Sequence, residues 1–490
     1  MKRIILTPRF SVFAISGTAL LAACSFQTYN PQPLDPVQTA AHYRAHDPES
    51  AEFRDYMVAQ GYSADALPVK QWSLHELTLS ALFFHPQLDV ARAQLQAARA
   101  HEITAGERPN PNFSASGGKS EDDVSPWIYN LGLDLPIQTA GKREASLAHA
   151  QALSEASRIE IGQTAWTVRS RLLNSWIEYG AAQQQLQLLQ QELDLRNEIT
   201  AMLNARLDAG MISNVELSTA RLQLQQAEQA LAAEKGRIPA LRATLASDAG
   251  LPSSVFARLA LKQRDVEELA GNRHSTALTR EGNDDLQDAA LLNRLDIRAA
   301  LAHYDAAEQQ LRLEIARQYP NLTLSPSNYY EEGFHIWNLG ISALLPLLNK
   351  NEGLIAEARA LREVQAAQFE ALQAKVIGDL EQAKARYHGA LDELEQARRL
   401  ESSQQAHLQQ MSSQFDSGYA DRLELTTAKL EGLLAKKSLL TAEYNVQRAA
   451  AALEDVLQQP LENMHTLPAD LEQATDRSVQ HPHTSVDPSS

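Results

Sequence analysis

The sequence Leu207-Asp208-Ala209-Gly210-Met211-Ile212-Ser213-Asn214 lies inside residues 137–238, a run that contains no proline. The rest of this run is rich in Ala, Gln, Leu and Glu, with leucines at helical spacing, which predicts helix. Gly210 can adopt the left-handed conformation that ends a helix, and Ser213 or Asn214 can cap the next one. The run therefore predicts two long antiparallel helices joined by a turn. A helix from Lys142 to Leu207, at about 1.5 Å per residue, would be roughly 100 Å long.

Short alternating segments interrupt the helical pattern. Residues 112–119 alternate small, polar and apolar side chains, and in residues 127–137 Trp127, Tyr129 and Leu131 fall on one face, with Asn130 and Gly132 on the other. This period of two predicts a β-hairpin with one apolar face.

The whole pattern occurs twice. Four anchors in the first half reappear 207 to 210 residues later, which predicts a tandem duplication. The pairs are Leu88-Asp89 with Leu295-Asp296, Asn110-Pro111-Asn112 with Tyr319-Pro320-Asn321, Leu135-Pro136 with Leu345-Pro346, and Asp208-Ala209-Gly210 with Asp416-Ser417-Gly418. The second repeat accordingly predicts a strand over residues 337–348 and another long helical pair.

These patterns divide the chain into six segments. Residues 1–23 are predicted to be a signal peptide, 24–72 an extended N-terminal arm, 73–250 the first repeat, 251–291 a polar linker, 292–460 the second repeat, and 461–490 a disordered tail. Each repeat comprises a helix, a β-hairpin and a long helical hairpin.

The N-terminal segment has the features of an export signal. Lys2, Arg3 and Arg9 precede a short apolar run, and Leu21-Ala22-Ala23-Cys24 resembles the lipobox of bacterial lipoproteins. That resemblance implies a lipid on Cys24 and, with Ser25 following, sorting to the outer membrane. The alternative is a lone buried cysteine behind an ordinary signal peptide. Because the chain has no second cysteine, a disulfide within it is excluded.

Composition excludes several classes of protein. The chain carries 44 basic and 61 acidic side chains, and the leader contains three of the basic ones. This acidic balance argues against nucleic acid as a partner. No run of 18 apolar residues occurs, which excludes a helical membrane protein. In a bilayer, four strands with open edges would then have to close into a barrel by oligomerising. The alternative is a water-soluble sheet that caps a helical bundle.

Several motifs together resemble the TolC-type outer-membrane efflux family, most of all its heavy-metal, CzcC-like branch. They are the lipobox cysteine Cys24, residues 105–111, residues 133–137 with 139–143, and residues 345–353. The resemblance implies a homotrimer with a twelve-stranded β-barrel in the outer membrane and an α-helical tunnel in the periplasm. It also implies a periplasmic adaptor and an inner-membrane pump, expected to be of the RND type. The channel itself would need no cofactor and would catalyse nothing.

The residues near the helical turns are candidates for function. Asp421, Glu424 and Asp416 could form a ring of carboxylates at a periplasmic gate, and Gly210, Ser213 and Gly418 could mark the tips where an adaptor docks. The family's second acidic position corresponds to Thr427 here. The alternative is that Asp421 and Glu424 only cap a helix.

The remaining features leave two classes of function. Trp127 and Trp337, at the expected strand starts, are candidates for a membrane interface. His42, His46 and His481-Pro482-His483 lack the scaffold of a metal site, and no catalytic motif occurs, so no metal site or enzyme is predicted. The favoured function is an efflux duct for metal cations, with drugs, solvents or a type I secretion substrate as other cargoes. The other function is a lipid-anchored periplasmic coiled-coil tether.

Overall fold

The computed structural model describes residues 27–119, 121, 127–262, 287–288 and 291–459. The chain divides into two units, residues 1–45 and residues 46–490. In the first unit, helix α1 spans Pro36–Arg44, with proline in its first turn. Asp35 caps α1, since its Oδ1 accepts a hydrogen bond of 2.8 Å from the Val37 amide.

The second unit begins with helix where an extended arm was predicted. Helix α2 spans Ala51–Ala59, and a 3-10 turn spans Ala64–Ala66. Phe53, Met57 and Trp72 are buried in the main hydrophobic cluster. The prediction of an extended arm is therefore wrong for these residues, because no proline falls between Pro48 and Pro68 and a helix can bury the aromatic side chains on one face.

Two helices precede the first hairpin. Helix α3 spans Leu74–Phe84 and begins with a capping box of Ser73 and Glu76. Helix α4 spans Pro86–Gly106, and His85 separates the two helices. Pro86 lies in the first turn of α4, where the missing amide hydrogen of proline is tolerated, so the helical pattern is interrupted at this point.

The long helices form two pairs. In the first repeat, α5 spans Lys142–Asp208 and α6 spans Asn214–Asp248. Helix α6 continues through Pro239, beyond the proline-free run. A short helix α7 spans Ser253–Phe256. In the second repeat, α8 spans Leu295–Ala316, α9 spans Glu352–Asp416 and α10 spans Arg422–Leu457.

The predicted linker begins inside the core. Leu251 and Phe256 are fully buried against α2 and α3. Trp72 donates its amide to Ala260 O at 2.8 Å and accepts from the Lys262 amide at 2.8 Å. The prediction of a polar linker is therefore wrong for residues 251–262, because an apolar turn here fills the cluster beneath α3. Residues 263–286 lie outside the described part of the chain.

The four strands form one antiparallel sheet in the order β1-β2-β3-β4. Strand β1 spans Asn112–Lys119, β2 Trp127–Ile137, β3 Leu322–Glu331 and β4 Phe334–Ala343. The first two strands have the predicted bounds. Strand β4 differs from the predicted residues 337–348, since it begins at Phe334 and ends at Ala343. The chain is thus mainly helical with a small antiparallel sheet whose outer strands, β1 and β4, each have one edge that no other described residue pairs with.

Candidate functional site

The strand register gives the sheet one mainly apolar face. Paired residues on neighbouring strands point to the same side, so the register extends the predicted alternation of β2 across all four strands. This face carries Phe113, Ala115, Trp127, Tyr129, Leu131, Leu133, Leu135, Ile137, Leu322, Leu324, Pro326, Tyr330, Trp337, Leu339, Ile341 and Ala343, with Lys119, Asn328 and His335 as its polar members.

The opposite face is mainly small and polar. It carries Ser114, Ser116, Asn130, Asp134, Thr323, Ser325, Ser327, Asn338 and Ser342, with Ile128, Tyr329, Phe334 and Ile336 as larger members. Ser325 Oγ donates a hydrogen bond of 2.6 Å to Asp134 Oδ1 across β2 and β3. At Gly132 a Cβ atom would lie 2.7 Å from Ser114 Oγ, so this face is closely packed with small groups.

The two tryptophans lie on the apolar face at different heights. Trp127 opens β2 opposite Lys119. Trp337 lies opposite Asn328, which lies opposite Leu131 in the middle of the sheet. The prediction that Trp337 opens a strand is wrong, because Phe334, His335 and Ile336 already pair with β3. Beside Trp127, the rings of Tyr129 and Tyr330 stack with centroids 4.6 Å apart.

The two helical hairpins turn at matching tips. Gly210 has φ +72° and Gly418 has φ +78°, the left-handed conformation that favours glycine. Met211 donates its amide to Arg206 O at 2.8 Å, and Tyr419 donates to Gln414 O at 2.8 Å, which is the same C-terminal capping motif in both repeats. The exposed side chains of Met211 and Tyr419 lie at these tips.

Ser213 occupies the predicted cap position of α6. Its side chain makes no cap hydrogen bond to the helix backbone, and its hydroxyl instead donates to Glu216 Oε1 at 3.4 Å. The predicted position is therefore confirmed, while the capping contact is absent.

Asp421 and Glu424 form a reciprocal capping box at the start of α10. Asp421 Oδ1 accepts from the Glu424 amide at 2.9 Å, and Glu424 Oε2 accepts from the Asp421 amide at 2.8 Å. The Glu424 amide, together with Arg206, holds the pKa of Asp421 below its usual range despite an opposing desolvation effect. Both carboxylates are thus engaged as helix caps within the single chain. Asp416 is the exposed last residue of α9.

Ion pairs join α5 to α10 along their shared seam. Arg206 pairs with Asp421 near the tip, and Arg422 pairs with Glu198 at 2.7 Å. Deeper in the seam, Lys437 pairs with buried Glu192 at 2.6 Å. Sequence reasoning missed these partners because each pair joins residues more than 200 positions apart, and no local pattern marks them.

Glu192 makes this seam sensitive to acid. Burial would raise the pKa of Glu192, but hydrogen bonds from Lys437 and Arg196 outweigh it, so the pKa lies below its ordinary value of 4.5. A lowered pKa stabilises the fold above the ordinary value, and this contribution disappears as the pH falls through the lowered pKa. We expect the guanidinium chloride concentration at the unfolding midpoint to be higher for the wild type than for Glu192→Gln. This difference should be constant from pH 7 to about 5. The difference should shrink below pH 4.5. A difference that does not change with pH would contradict this role.

A family model described as outer membrane efflux protein matches residues 79–250 and 286–459, which contain the sheet and both helical hairpins. The chain belongs to the outer membrane efflux protein family. It is therefore an efflux channel of the outer membrane and not an enzyme. The two matched ranges fall on the two halves of the chain, either side of residues 251–285.

Two named relatives share about a quarter of their aligned residues with this chain. Cobalt-zinc-cadmium resistance protein CzcC of Cupriavidus metallidurans is 26% identical over 291 residues, covering 59% of this chain and 66% of that protein, just under two thirds of its length. Pyoverdine export outer membrane protein OpmQ of Pseudomonas aeruginosa is 25% identical over 374 residues, covering 68% of this chain and 72% of that protein.

A solved structure of the outer membrane protein VceC from Vibrio cholerae has the same fold. The two chains superimpose with a TM-score of 0.62 at 20% identity, over 84% of this chain and 100% of that chain. This likeness establishes the fold of the efflux protein described here.

Some predicted features lie beyond the described residues. Cys24 and the pair His481 and His483 fall outside them. Within the described residues, no group of three or more His, Cys, Asp or Glu side chains is arranged to hold a metal ion. The helices in the same part of the chain include none with an apolar stretch that could cross a bilayer.

Proposed function

We propose that this chain is the outer-membrane subunit of a tripartite efflux system and that three copies form a passive exit duct. The observation that carries the proposal is the sheet, which has an apolar face, a polar face and, among the described residues of one chain, two open edges. In a bilayer the edges must be paired, and four strands are too few for a closed barrel. Three copies would supply twelve strands, with apolar side chains toward lipid and polar side chains toward the lumen.

The helical hairpins extend this duct into the periplasm. At about 1.5 Å per residue, α5 and α9 would each be roughly 100 Å long. The exposed tips at Gly210 and Gly418 are the proposed docking points for a periplasmic adaptor, which would connect the duct to an inner-membrane pump. A lipid on Cys24 would anchor each N-terminal arm in the outer membrane.

The proposed cargo is metal cations. The support is the similarity to CzcC, whose name assigns it to cobalt, zinc and cadmium resistance. The similarity to OpmQ, named for pyoverdine export, makes an organic cargo the principal competing outcome. Deletion of the gene should lower the tolerated concentration of zinc, cobalt or cadmium salts, and expression of the full chain should restore it. Unchanged metal tolerance with lost tolerance to organic compounds would overturn the metal assignment.

The duct itself is tested by single-channel recording. Purified protein in planar bilayers should give discrete conductance steps, and its mass in detergent should correspond to three chains. A monomer without conductance would overturn the proposed function and favour the tether.

The proposed gate at the tips gives a separate prediction. Neutralising its carboxylates by Asp421→Asn with Glu424→Gln should raise the leak conductance or weaken block by divalent cations, because the substitutions remove ring charge and the Arg206 pair. Asp194→Asn, a neutralisation elsewhere on α5, is the control. Unchanged conductance and block in the double variant would restrict Asp421 and Glu424 to capping.

A further inference from the structure

The residues that follow β4 have the sequence of a strand but no strand to pair with. Leu344, Leu345, Leu347 and Leu348 are 86%, 66%, 78% and 103% exposed. Their counterparts in the first repeat, Leu135-Pro136-Ile137, belong to β2 and pair with residues 322–324 of β3. Within the described part of its own chain, the segment 344–348 joins no ladder, and the Leu347 amide donates to Leu345 O at 2.9 Å, a bond that pairing with another strand would replace.

The two hairpins show which residues of the first repeat correspond to which residues of the second. Phe113 pairs with Leu133 in the first hairpin. Their counterparts, 209 and 210 residues later by the offsets of Pro111 with Pro320 and of Pro136 with Pro346, are Leu322 and Ala343. Leu322 and Ala343 also pair. Both repeats then enter the long helix through a left-handed residue, Gly141 at φ +70° and Asn351 at φ +64°. The repeats therefore share one register through the sheet and into the helix.

The same offsets predict how two copies meet. Within the chain, Ile137 lies opposite Leu322 and Leu135 lies opposite Leu324. We infer that β4 of one copy lengthens to Leu348 by pairing with β1 of a second copy, with Leu347 opposite Phe113 of the partner subunit and Leu345 opposite Ala115 of the partner subunit. All four side chains then fall on the apolar face, which continues without a break around the barrel. The inference rests on the proposed trimer and specifies the junction between β4 of one copy and β1 of the next, which is called the seam below.

The contacts below the sheet support this pairing. Within the chain, Thr139 Oγ1 donates to Pro320 O at 2.5 Å, and Lys142 Nζ donates to Asn321 Oδ1 at 2.6 Å. At the junction between two copies, Asn349 is the counterpart of Thr139, and Pro111 of the partner subunit is the counterpart of Pro320. Asn349 would therefore lie against Pro111 of the partner subunit. Asn349 Oδ1 already accepts from the Asn351 amide at 2.8 Å, so its Nδ2 can donate to that carbonyl.

The charges differ between the two junctions. Within the chain, burial and the positive charge of Arg317 lower the pKa of Lys142. This junction therefore brings two like charges together. At the seam Glu352 takes the place of Lys142, and Arg108 of the partner subunit takes the place of Arg317. Glu352 and Arg108 are exposed, and neither makes an ion pair with another described residue. The seam between copies thus joins opposite charges, which favours pairing of unlike edges.

Cysteine cross-linking tests the register. Paired residues have Cα atoms about 4.5–5.5 Å apart, within disulfide reach, whereas diagonal neighbours are about 7–8 Å apart. In native membranes, Phe113→Cys with Leu347→Cys should give a covalent trimer on non-reducing electrophoresis. The two edges of one sheet are three strand spacings, roughly 14 Å, apart, so no disulfide can form within a chain. Phe113→Cys with Leu345→Cys is the shifted control, and each single variant controls for reaction with Cys24.

The outcomes separate this inference from the proposed function. Links in the shifted control alone, or no links in a protein whose mass is that of a trimer, would overturn the register and leave the duct intact. A monomer by mass would overturn both. For the ion pair, Arg108→Glu should raise trimer dissociation several-fold, and adding Glu352→Arg should reverse the loss; a loss that is not reversed would remove this pair from the seam.

Discussion

Replacing Glu454 by methionine should destabilise the protein by about 3–5 kcal/mol, the usual cost of leaving a buried charge without its partner. Glu454 lies on α10 and pairs with Arg169 of α5 at 3.1 Å, and both residues are buried. Arg169 Nη1 already lacks a hydrogen-bond partner among the described residues, so loss of the carboxylate would leave the guanidinium poorly compensated. The change in the free energy of unfolding is measured by denaturation with guanidinium chloride in detergent, followed by the helical circular dichroism signal.

Two controls separate charge from packing. The double variant Arg169→Met with Glu454→Met should recover most of the loss, since replacing a buried ion pair by apolar side chains is often close to neutral. Arg399→Met removes an exposed pair with Glu395 within α9 and should cost less than about 1 kcal/mol. A double variant as unstable as Glu454→Met would show that the carboxylate acts through its shape or its other contacts.

Gly250→Ala should destabilise the protein by about 3 kcal/mol or more, because strain in the left-handed region and a steric clash add together. Gly250 has φ +73° at the end of α6, and a Cβ atom there would lie 2.9 Å from both Phe84 C and His85 N. These are backbone atoms at the junction of α3 and α4, so they cannot move aside as a side-chain end can. The same unfolding measurement gives the loss.

Gly210→Ala is the matched control for Gly250→Ala. Gly210 has φ +72°, and a Cβ atom there would have no neighbour within 4 Å. Only the left-handed strain remains, roughly 1–2 kcal/mol. Equal losses for the two variants would contradict the proposed close approach of α6 to the break between α3 and α4.

Local pattern predicted most of the elements. The bounds of β1 and β2 and the turn at Gly210 depend on neighbouring residues alone, so local sequence is enough to predict them. Residues 51–59 and 251–262 were assigned wrongly because their structure depends on burial against α3, which no short window shows.

The candidate site was predicted less fully than the fold. The positions of Asp421 and Glu424 followed from the turn at Gly418, and capping was an open alternative. The partners Arg206 and Glu198 belong to another helix and could not be found from spacing. Strand β4 ends earlier than predicted for a related reason, since residues 344–348, which follow it, have no neighbouring strand within the described chain.

The free borders of β1 and β4 have a consequence for biogenesis. A single copy carries exposed backbone donors and acceptors beside an apolar surface, a combination that favours aggregation. In the proposed trimer these edges would be paired only after copies associate, so maturation should depend on concentration. At low expression, unassembled chains would then be exposed to periplasmic proteases. The amount of assembled channel would therefore rise more steeply than the expression level.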